Sequence, residues 1–397
     1  MPLLPLTVLS TLLHVYMALR LVPPLAALTP AWPLLLLLLV VSAASMPLPF
    51  IGLRSAREPL SDRWKWIGLL SMGWFSSMFV LTTVRDAGLV LAWGVSAVGG
   101  LSVGSARWDA WKEWSAAAVP LLATAVSLVG FFNARRTAVV KHVEVPIDGL
   151  PPALDGFTIA QLSDIHVGPT IKRDYIQRMV DAVNRLGADA IAITGDLVDG
   201  SVAELREHIA PLAGLRARHG TFVVTGNHEY YAGAHAWIDE LRRLGLKVLL
   251  NEHVVLHTRG MHGAQNDEEL FESALVLAGV TDYTAGHFDA AHASDPHRAL
   301  HDAPALARTR VLLAHQPRSA AAAAAAGFHL QLSGHTHGGQ FFPWNLFVPM
   351  QQPFTAGLHR LQHMWVYVSR GTGYWGPPKR FGAPSEITLL RLVSARR

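Results

Sequence analysis

Five short apolar runs in the C-terminal part of this sequence each end in side chains able to hold a cation. Thr158 to Leu162 delivers Ser163-Asp164-Ile165-His166, Ala190 to Thr194 delivers Gly195-Asp196, and Thr221 to Thr225 delivers Gly226-Asn227-His228-Glu229. Arg310 to Ala314 ends in His315, and His329 to Leu332 leads to Gly334-His335-Thr336-His337. Open α/β sheets gather ligands at the carboxyl ends of their strands, so five such ends could meet at one site. Asp164 and His166 are two residues apart, as are His335 and His337. On extended backbone, residues i and i+2 share a face, so each pair can address one ion. The glycines before Asp196, Asn227 and His335 permit tight turns that leave room for an ion beside the backbone.

Oxygen and imidazole ligands without sulfur suit Mn, Fe, Zn or a similar ion. A bridging carboxylate can hold two such ions about 3.5 to 4 Å apart, where they clamp the attacking and leaving oxygens of an in-line displacement. Two cations also lower the pKa of a bridging water, so a metal-bridging hydroxide exists near neutral pH and no covalent nucleophile is needed. Taken singly, each element has a bland structural reading. Asp196 after Gly195 could be a turn residue, Asn227 a helix cap, and a lone strand-end histidine a satisfied surface group. Coincidence explains poorly why all five occur together, in this order, at strand ends.

The elements that must carry these residues alternate. Helical patterns over Arg173 to Leu186, Val202 to Leu215 and Ala234 to Leu244 separate the first strand-like runs. Further strand-like runs follow at Val254 to His257, Ala274 to Ala278, Trp365 to Ser369 and Glu386 to Arg391, enough for two sheets. A layered α/β/β/α sandwich over residues 155–397 is expected. A linker over 137–154 precedes it, with an extended stretch at Val143 to Ile147 and a Pro-rich link at Gly149 to Pro152.

Residues 1–136 differ in kind. They hold ten of the 33 Lys and Arg, five of the 29 Asp and Glu, and one histidine of 20, His14. Uncharged stretches run from Met1 to Leu19, Leu21 to Leu53, Trp66 to Val84, Ala87 to Ala106 and Trp114 to Ala134. A bilayer span needs about 20 apolar residues, so a transmembrane α-helical region of four or five spans is expected. The Gly-rich fourth stretch is the weakest. Trp32, Trp64, Trp66, Trp108, Trp111 and Trp114 stand near the span ends, as interfacial aromatics do. No basic residue precedes the first apolar run, which argues for a retained anchor over a cleaved signal. His14 is the only ionisable residue expected within a span, which speaks against a transport pathway.

The net charge of +4 belongs to this N-terminal third, so the basic pI fits membrane flanks and nucleic acid is not expected as a partner. With no cysteine anywhere, disulfides, thiolate metal sites and cysteine nucleophiles are excluded. Arg135, Arg136 and Lys141, just after the last span, point to a cytoplasmic C-terminal domain.

The ordered blocks D-x-H, G-D, G-N-H-E, H and G-H-x-H resemble the calcineurin-like metallophosphoesterase superfamily, across roughly residues 155 to 392. Gly334-His-Thr-His-Gly-Gly-Gln340, Ser369-Arg-Gly371 and Phe381-Gly-Ala-Pro-Ser-Glu386 look like its bacterial membrane-associated branch of YkuE- and YaeI-like phosphoesterases. The resemblance implies two divalent metal ions, manganese among the candidates. One would be held by Asp164, His166 and His337, the other by Asn227, His315 and His335, with Asp196 bridging. His228 would be a catalytic residue that stabilises or protonates the leaving oxygen, with Glu229 orienting it. The implied substrate is a phosphomonoester or phosphodiester, and a lipid-linked phosphate or pyrophosphate is attractive because the site is tethered to membrane lipid. The implied location is the bacterial cytoplasmic (inner) membrane. A non-catalytic metal-binding interaction module on the same fold is the alternative, although every ligand position of the pattern is filled.

Other residues read ambiguously. Asp199 and Asp282 fit turns or caps better than substrate contacts. Arg370 suits either phosphate or a structural ion pair. Tyr374 and Trp375 could line a pocket, touch lipid or merely pack. His253, His257, His262, His287, His292, His297 and His301 fall in a region of loop-like composition and are expected to be mostly exposed.

Overall fold

The computed structural model describes residues 3–51, 61–99, 106–258 and 273–395, and the chain divides into two compact units. The first comprises Met1–Phe132 with Gly376–Lys379. Its helices are α1 (Leu3–Leu28), α2 (Trp32–Ser45), α3 (Leu48–Ile51), α4 (Asp62–Gly99) and α5 (Ala106–Arg135), which runs on into the second unit. Four helical stretches, Leu4–Leu28, Trp32–Phe50, Asp62–Ser96 and Ala106–Arg135, are long and apolar enough to cross a bilayer. Their outward faces carry Leu12, Leu19, Leu37, Val40, Leu91 and Leu121, all exposed, as lipid-facing helices do. Inside, Met17, Leu21, Leu39, Met78, Ala116 and Ala123 pack together.

Of the four or five spans expected, four are found among the described residues, because the third uncharged stretch and most of the fourth lie on the single helix α4. The pair Arg85-Asp86, expected to interrupt them, sits within that helix. Asp86 accepts from Arg20 Nε at 2.7 Å and from the Tyr16 hydroxyl at 2.8 Å, while Arg85 Nε donates to Ser115 Oγ at 2.9 Å. Charges with such partners need not break a helix, so His14 is not alone among ionisable groups in the helical unit. Gly100 and Gly104 of the fourth stretch lie outside the described residues.

The second unit comprises Asn133–Trp375 and Arg380–Arg397. In chain order its strands and helices are β1 (Val139–Ile147), β2 (Thr158–Leu162), α6 (Arg173–Asn184), β3 (Ala190–Thr194), α7 (Val202–Ile209), β4 (Thr221–Val224), α8 (Asn227–Ala232), α9 (Ala234–Arg243), β5 (Lys247–Val248) and β6 (Glu252–His257). Then follow β7 (Ala274–Gly279), β8 (Thr309–Leu313), α10 (Ala320–Ala325), β9 (Leu330–Ser333), β10 (Gly357–Leu361), β11 (Met364–Val368) and β12 (Glu386–Ser394). One sheet has the order β1-β12-β2-β3-β4-β5, the other β10-β11-β9-β8-β7-β6.

Alternation along each strand builds the layers. Ile159, Ala190, Ala192, Phe222 and Val224 point from the first sheet into a core shared with Leu277, Val311, Leu313, Leu330 and Leu332 of the second. The intervening Ala160, Leu162, Ile191, Ile193 and Val223 face Ile176, Met179, Val180, Trp237 and Leu241 of α6 and α9. Leu312, Val366 and Val368 face Ala320, Ala323 and Ala324 of α10 on the far side. The domain is therefore the expected α/β/β/α sandwich. Residues 137–154, expected as linker, contribute β1, which pairs in parallel with β12 from Val139–Glu386 to Ile147–Ser394 and extends the sheet.

Candidate active site

In the first sheet β2, β3 and β4 are neighbours and parallel; in the second, β8 and β9 are neighbours and parallel. Their carboxyl ends carry Asp164 and His166, Asp196, Asn227 and His228, His315, and His335 and His337, and the structure gathers several of these within a few ångströms. Ligand atoms of Asp164, His166 and His337 lie within 4.8 Å of one another, as do those of Asp196, His315 and His335, and those of His166, Asp196 and His228. Asp196 is common to two groups. Its Oδ2 is 3.2 Å from His315 Nε2, 3.8 Å from His166 Nε2 and 3.9 Å from His228 Nε2, while Oδ1 accepts from the His228 backbone N–H at 2.9 Å.

The pairs Asp164/His166 and His335/His337 converge by a different route from the extended backbone that their spacing suggests. Both members of each pair, and Asp196, have left-handed φ values of 51°, 54°, 70°, 52° and 51° in the order Asp164, His166, His335, His337, Asp196. Non-glycine residues there cost about 1–3 kcal/mol each and persist where the surroundings over-determine them. Close approach of the loops enforces this. A Cβ on Gly334 would collide with the Asp164 carboxylate and the Ser163 hydroxyl, and one on Gly226 with the Asp196 carboxylate. The Asp164 carboxylate in turn accepts from the His335 backbone N–H at 2.8 Å.

The imidazoles are aimed through their other nitrogens, as metal-binding histidines commonly are. His315 Nδ1 lies 2.7 Å from the Thr194 carbonyl, and His166 Nδ1 lies 2.9 Å from Asp199 Oδ1. Inward-facing nitrogens then crowd one another: His166 Nε2 and His337 Nε2 are 3.1 Å apart, His315 Nε2 and His335 Nδ1 3.2 Å. Burial, then the neighbouring His315, pulls His335 down to about 3, and burial with Arg380 holds His337 well below the usual imidazole range. Burial opposes a charge on His315 as well, but Asp196 and Asp164 outweigh it and push it above the usual imidazole range. Asn227 Oδ1 is buried without a hydrogen-bond partner. Imidazole nitrogens facing one another at 3.1 and 3.2 Å, an orphaned amide oxygen and two buried carboxylates form a donor set that fits divalent cations.

His228 is half-buried at the mouth. Its Nδ1 is 2.6 Å from Asp199 Oδ1, and its ring meets those of Tyr231 and Trp375 edge-on at 5.3 and 5.7 Å. Burial works against a charge on this ring, yet the Asp199 hydrogen bond and the charges of Asp196 and Asp199 raise it to about 9. Glu229 does not orient His228. It turns under the site and accepts from the backbone N–H groups of Gly226, Leu197, Asp196 and Val198 at 2.6, 2.7, 3.0 and 3.3 Å. Four donors gathered on one carboxylate tie the β3 and β4 turns together. Glu229→Ala is therefore expected to cost about 3 kcal/mol or more by leaving buried donors unsatisfied, read as a lowered thermal midpoint.

The orienting carboxylate is Asp199, which the sequence offered as a turn residue. Burial opposes its ionisation, but His166 and His228 together hold it at about 2. Asp199→Asn is expected to lower metal affinity by roughly 10- to 100-fold, the usual effect of losing a partner behind a ligand, measured by equilibrium dialysis. Arg380 carried no signal in the sequence either. Fully buried, it donates to the His337 carbonyl at 2.9 Å and the Arg370 carbonyl at 2.7 Å, and its Nη2 is 3.1 Å from His337 Nδ1. Arg370 pairs with Glu386 at 3.4 Å, and Asp282 accepts from the Thr284 backbone and from Gln316. Tyr374 is buried and Trp375 exposed.

A model of the calcineurin-like phosphoesterases matches residues 157–339. A Bos taurus protein described as a transmembrane protein with metallophosphoesterase domain is 40% identical over 322 residues, covering 80% of this chain and 70% of its own. This chain belongs to the calcineurin-like phosphoesterases. It carries the domain of a metal-dependent phosphoesterase, and its apolar helices and transmembrane relatives mark it as a membrane protein. A Danio rerio protein with the same description is 36% identical over 343 residues, covering 83% of this phosphoesterase and 74% of the relative. The Bacillus subtilis metallophosphoesterase YkuE is 27% identical over 256 residues, or 62% of this phosphoesterase and 82% of the relative.

Proposed function

We propose that the cluster holds two divalent cations and that the protein hydrolyses a phosphomonoester or phosphodiester. In this reading Asp164, His166 and His337 hold one ion, Asn227, His315 and His335 the other, and Asp196 is shared. The observation that carries it is the position of Asp196 Oδ2, within 4 Å of imidazoles belonging to both sets. The ions would supply an activated water and neutralise charge on the phosphoryl oxygens. The chain's own contribution is to orient the imidazoles of His315, His166 and His337 through Thr194, Asp199 and Arg380, and to present His228, hydrogen-bonded to Asp199, to the leaving oxygen.

We further propose that the protein belongs with the bacterial membrane-associated branch, in a cytoplasmic membrane with the catalytic domain on the cytoplasmic side. Tethering to a bilayer favours a lipid-linked phosphate or pyrophosphate as substrate. A lipid-extract hydrolysis screen tests this: purified protein with Mn should release phosphate or a phosphorylated headgroup from one lipid fraction. Turnover of bis(p-nitrophenyl) phosphate with no reaction in any lipid fraction would overturn the lipid assignment while leaving the phosphoesterase intact. Metal analysis should return two ions per chain, and a single ion would overturn the dinuclear reading.

A further inference from the structure

Away from this cluster, a second set of side chains has the composition of a cation site. One ligand atom each from His235, Asp289 and His292 lies within 4.8 Å of the others. His235 stands at the start of α9; after β7, Asp289 caps the single turn Ala290–His292, which His292 ends.

The trio is built rather than incidental. Asp289 Oδ1 accepts from the Ala291 backbone N–H at 2.9 Å, which fixes the carboxylate and leaves Oδ2 facing His235 Nε2 at 3.0 Å. The Tyr230 hydroxyl sits 2.9 Å from His292 Nδ1, a bond of the kind that orients a metal-binding imidazole through its remaining nitrogen. The turn itself is anchored: Thr281 Oγ1 donates to the His292 carbonyl at 2.7 Å, and Asn251 Nδ2 to the Ala293 carbonyl at 2.8 Å. The His235 and His292 ring centroids are 4.9 Å apart. Two imidazoles and one carboxylate without sulfur match zinc and its first-row neighbours, with coordination positions left for water.

The position ties this set to the catalytic rim. Tyr230, which holds His292, lies on α8 two residues beyond His228. Phe288, next to Asp289, packs against Tyr230 at 5.6 Å and Tyr231 at 5.7 Å, and Tyr231 packs on His228 at 5.3 Å. We propose that His235, Asp289 and His292 form a further site for a divalent transition-metal ion, zinc-like in its preferences, and that its occupancy fastens the Phe288 segment to the start of α9.

The test counts ions on the full-length, detergent-solubilised chain. Asp196→Asn serves as background, so the result does not depend on how the central cluster binds metal. Equilibrium dialysis against zinc should show one fewer equivalent per chain when His235→Ala is added, or a loss of affinity of more than about tenfold for that equivalent. Asp289→Asn should do the same. Because the His235 side chain is 74% exposed, its removal leaves the fold intact. Equal zinc count and affinity with and without His235→Ala would overturn the proposal and leave the trio as a surface ion pair beside a hydrogen-bonded imidazole.

Discussion

Replacing Asp196 with alanine is expected to lower hydrolysis of bis(p-nitrophenyl) phosphate by more than about a thousandfold, because metal stabilisation supplies several kcal/mol and each 1.36 kcal/mol is tenfold in rate. The size follows from how many groups depend on one carboxylate. Oδ2 faces His315, His166 and His228, and Oδ1 receives the backbone N–H at the start of α8. Removing it takes a shared ligand from both proposed ions and leaves the imidazole of His315 beside an unfilled gap. Asp196→Asn separates chemistry from folding, since it keeps an oxygen for the His228 N–H and fills the same volume, yet carries no charge to bridge two cations. Both variants should lose activity to a similar degree, while the asparagine variant keeps its thermal midpoint within a few degrees. Either variant retaining a tenth of wild-type activity would sink the shared-ligand role.

How far the site was legible depends on what each residue needed from the fold. The seven proposed donor positions and His228 announce themselves because a polar, metal-competent side chain directly after an apolar run is costly without a use, and the run itself predicts the strand that delivers it. Asp199 gave no such sign. Three residues beyond Asp196, it looks like any loop aspartate, and only the packing of the β2 and β4 turns brings His166 and His228 onto the same oxygen. Glu229 shows the opposite failure: adjacency to His228 suggested a partnership, but helical geometry sends consecutive side chains apart, and its carboxylate serves the backbone of β3 and β4 instead. Arg380 and His292 depend on contacts across many residues of sequence, which periodicity does not encode. In the helical unit, lack of charge was a sound guide to apolar helices but not to their ends, because Arg85 and Asp86 find partners on α1 and α5 and let α4 continue.

His228→Ala is expected to lower kcat by roughly 10²- to 10⁴-fold, the range a positioned proton donor contributes, with the bound metal unchanged. The argument rests on a division of labour visible in the contacts. His228 is the one imidazole of the group whose Nδ1 is clamped by a carboxylate while its ring stands half-buried at the mouth against Tyr231 and Trp375. The Asp199 carboxylate at Nδ1 favours the charged ring, and a proton on Nε2 would serve an oxygen that departs with negative charge. Such help matters in proportion to the basicity of the departing oxygen. The loss should therefore fall at the low end of the range for a p-nitrophenyl ester and at the high end for an alkyl ester. Comparing kcat for the two esters in wild type and variant reads that slope directly. A loss of equal size for both esters, or a loss accompanied by fewer bound ions, would mean that His228 serves the metals rather than the leaving group, consistent with its Nε2 lying 3.9 Å from Asp196 Oδ2.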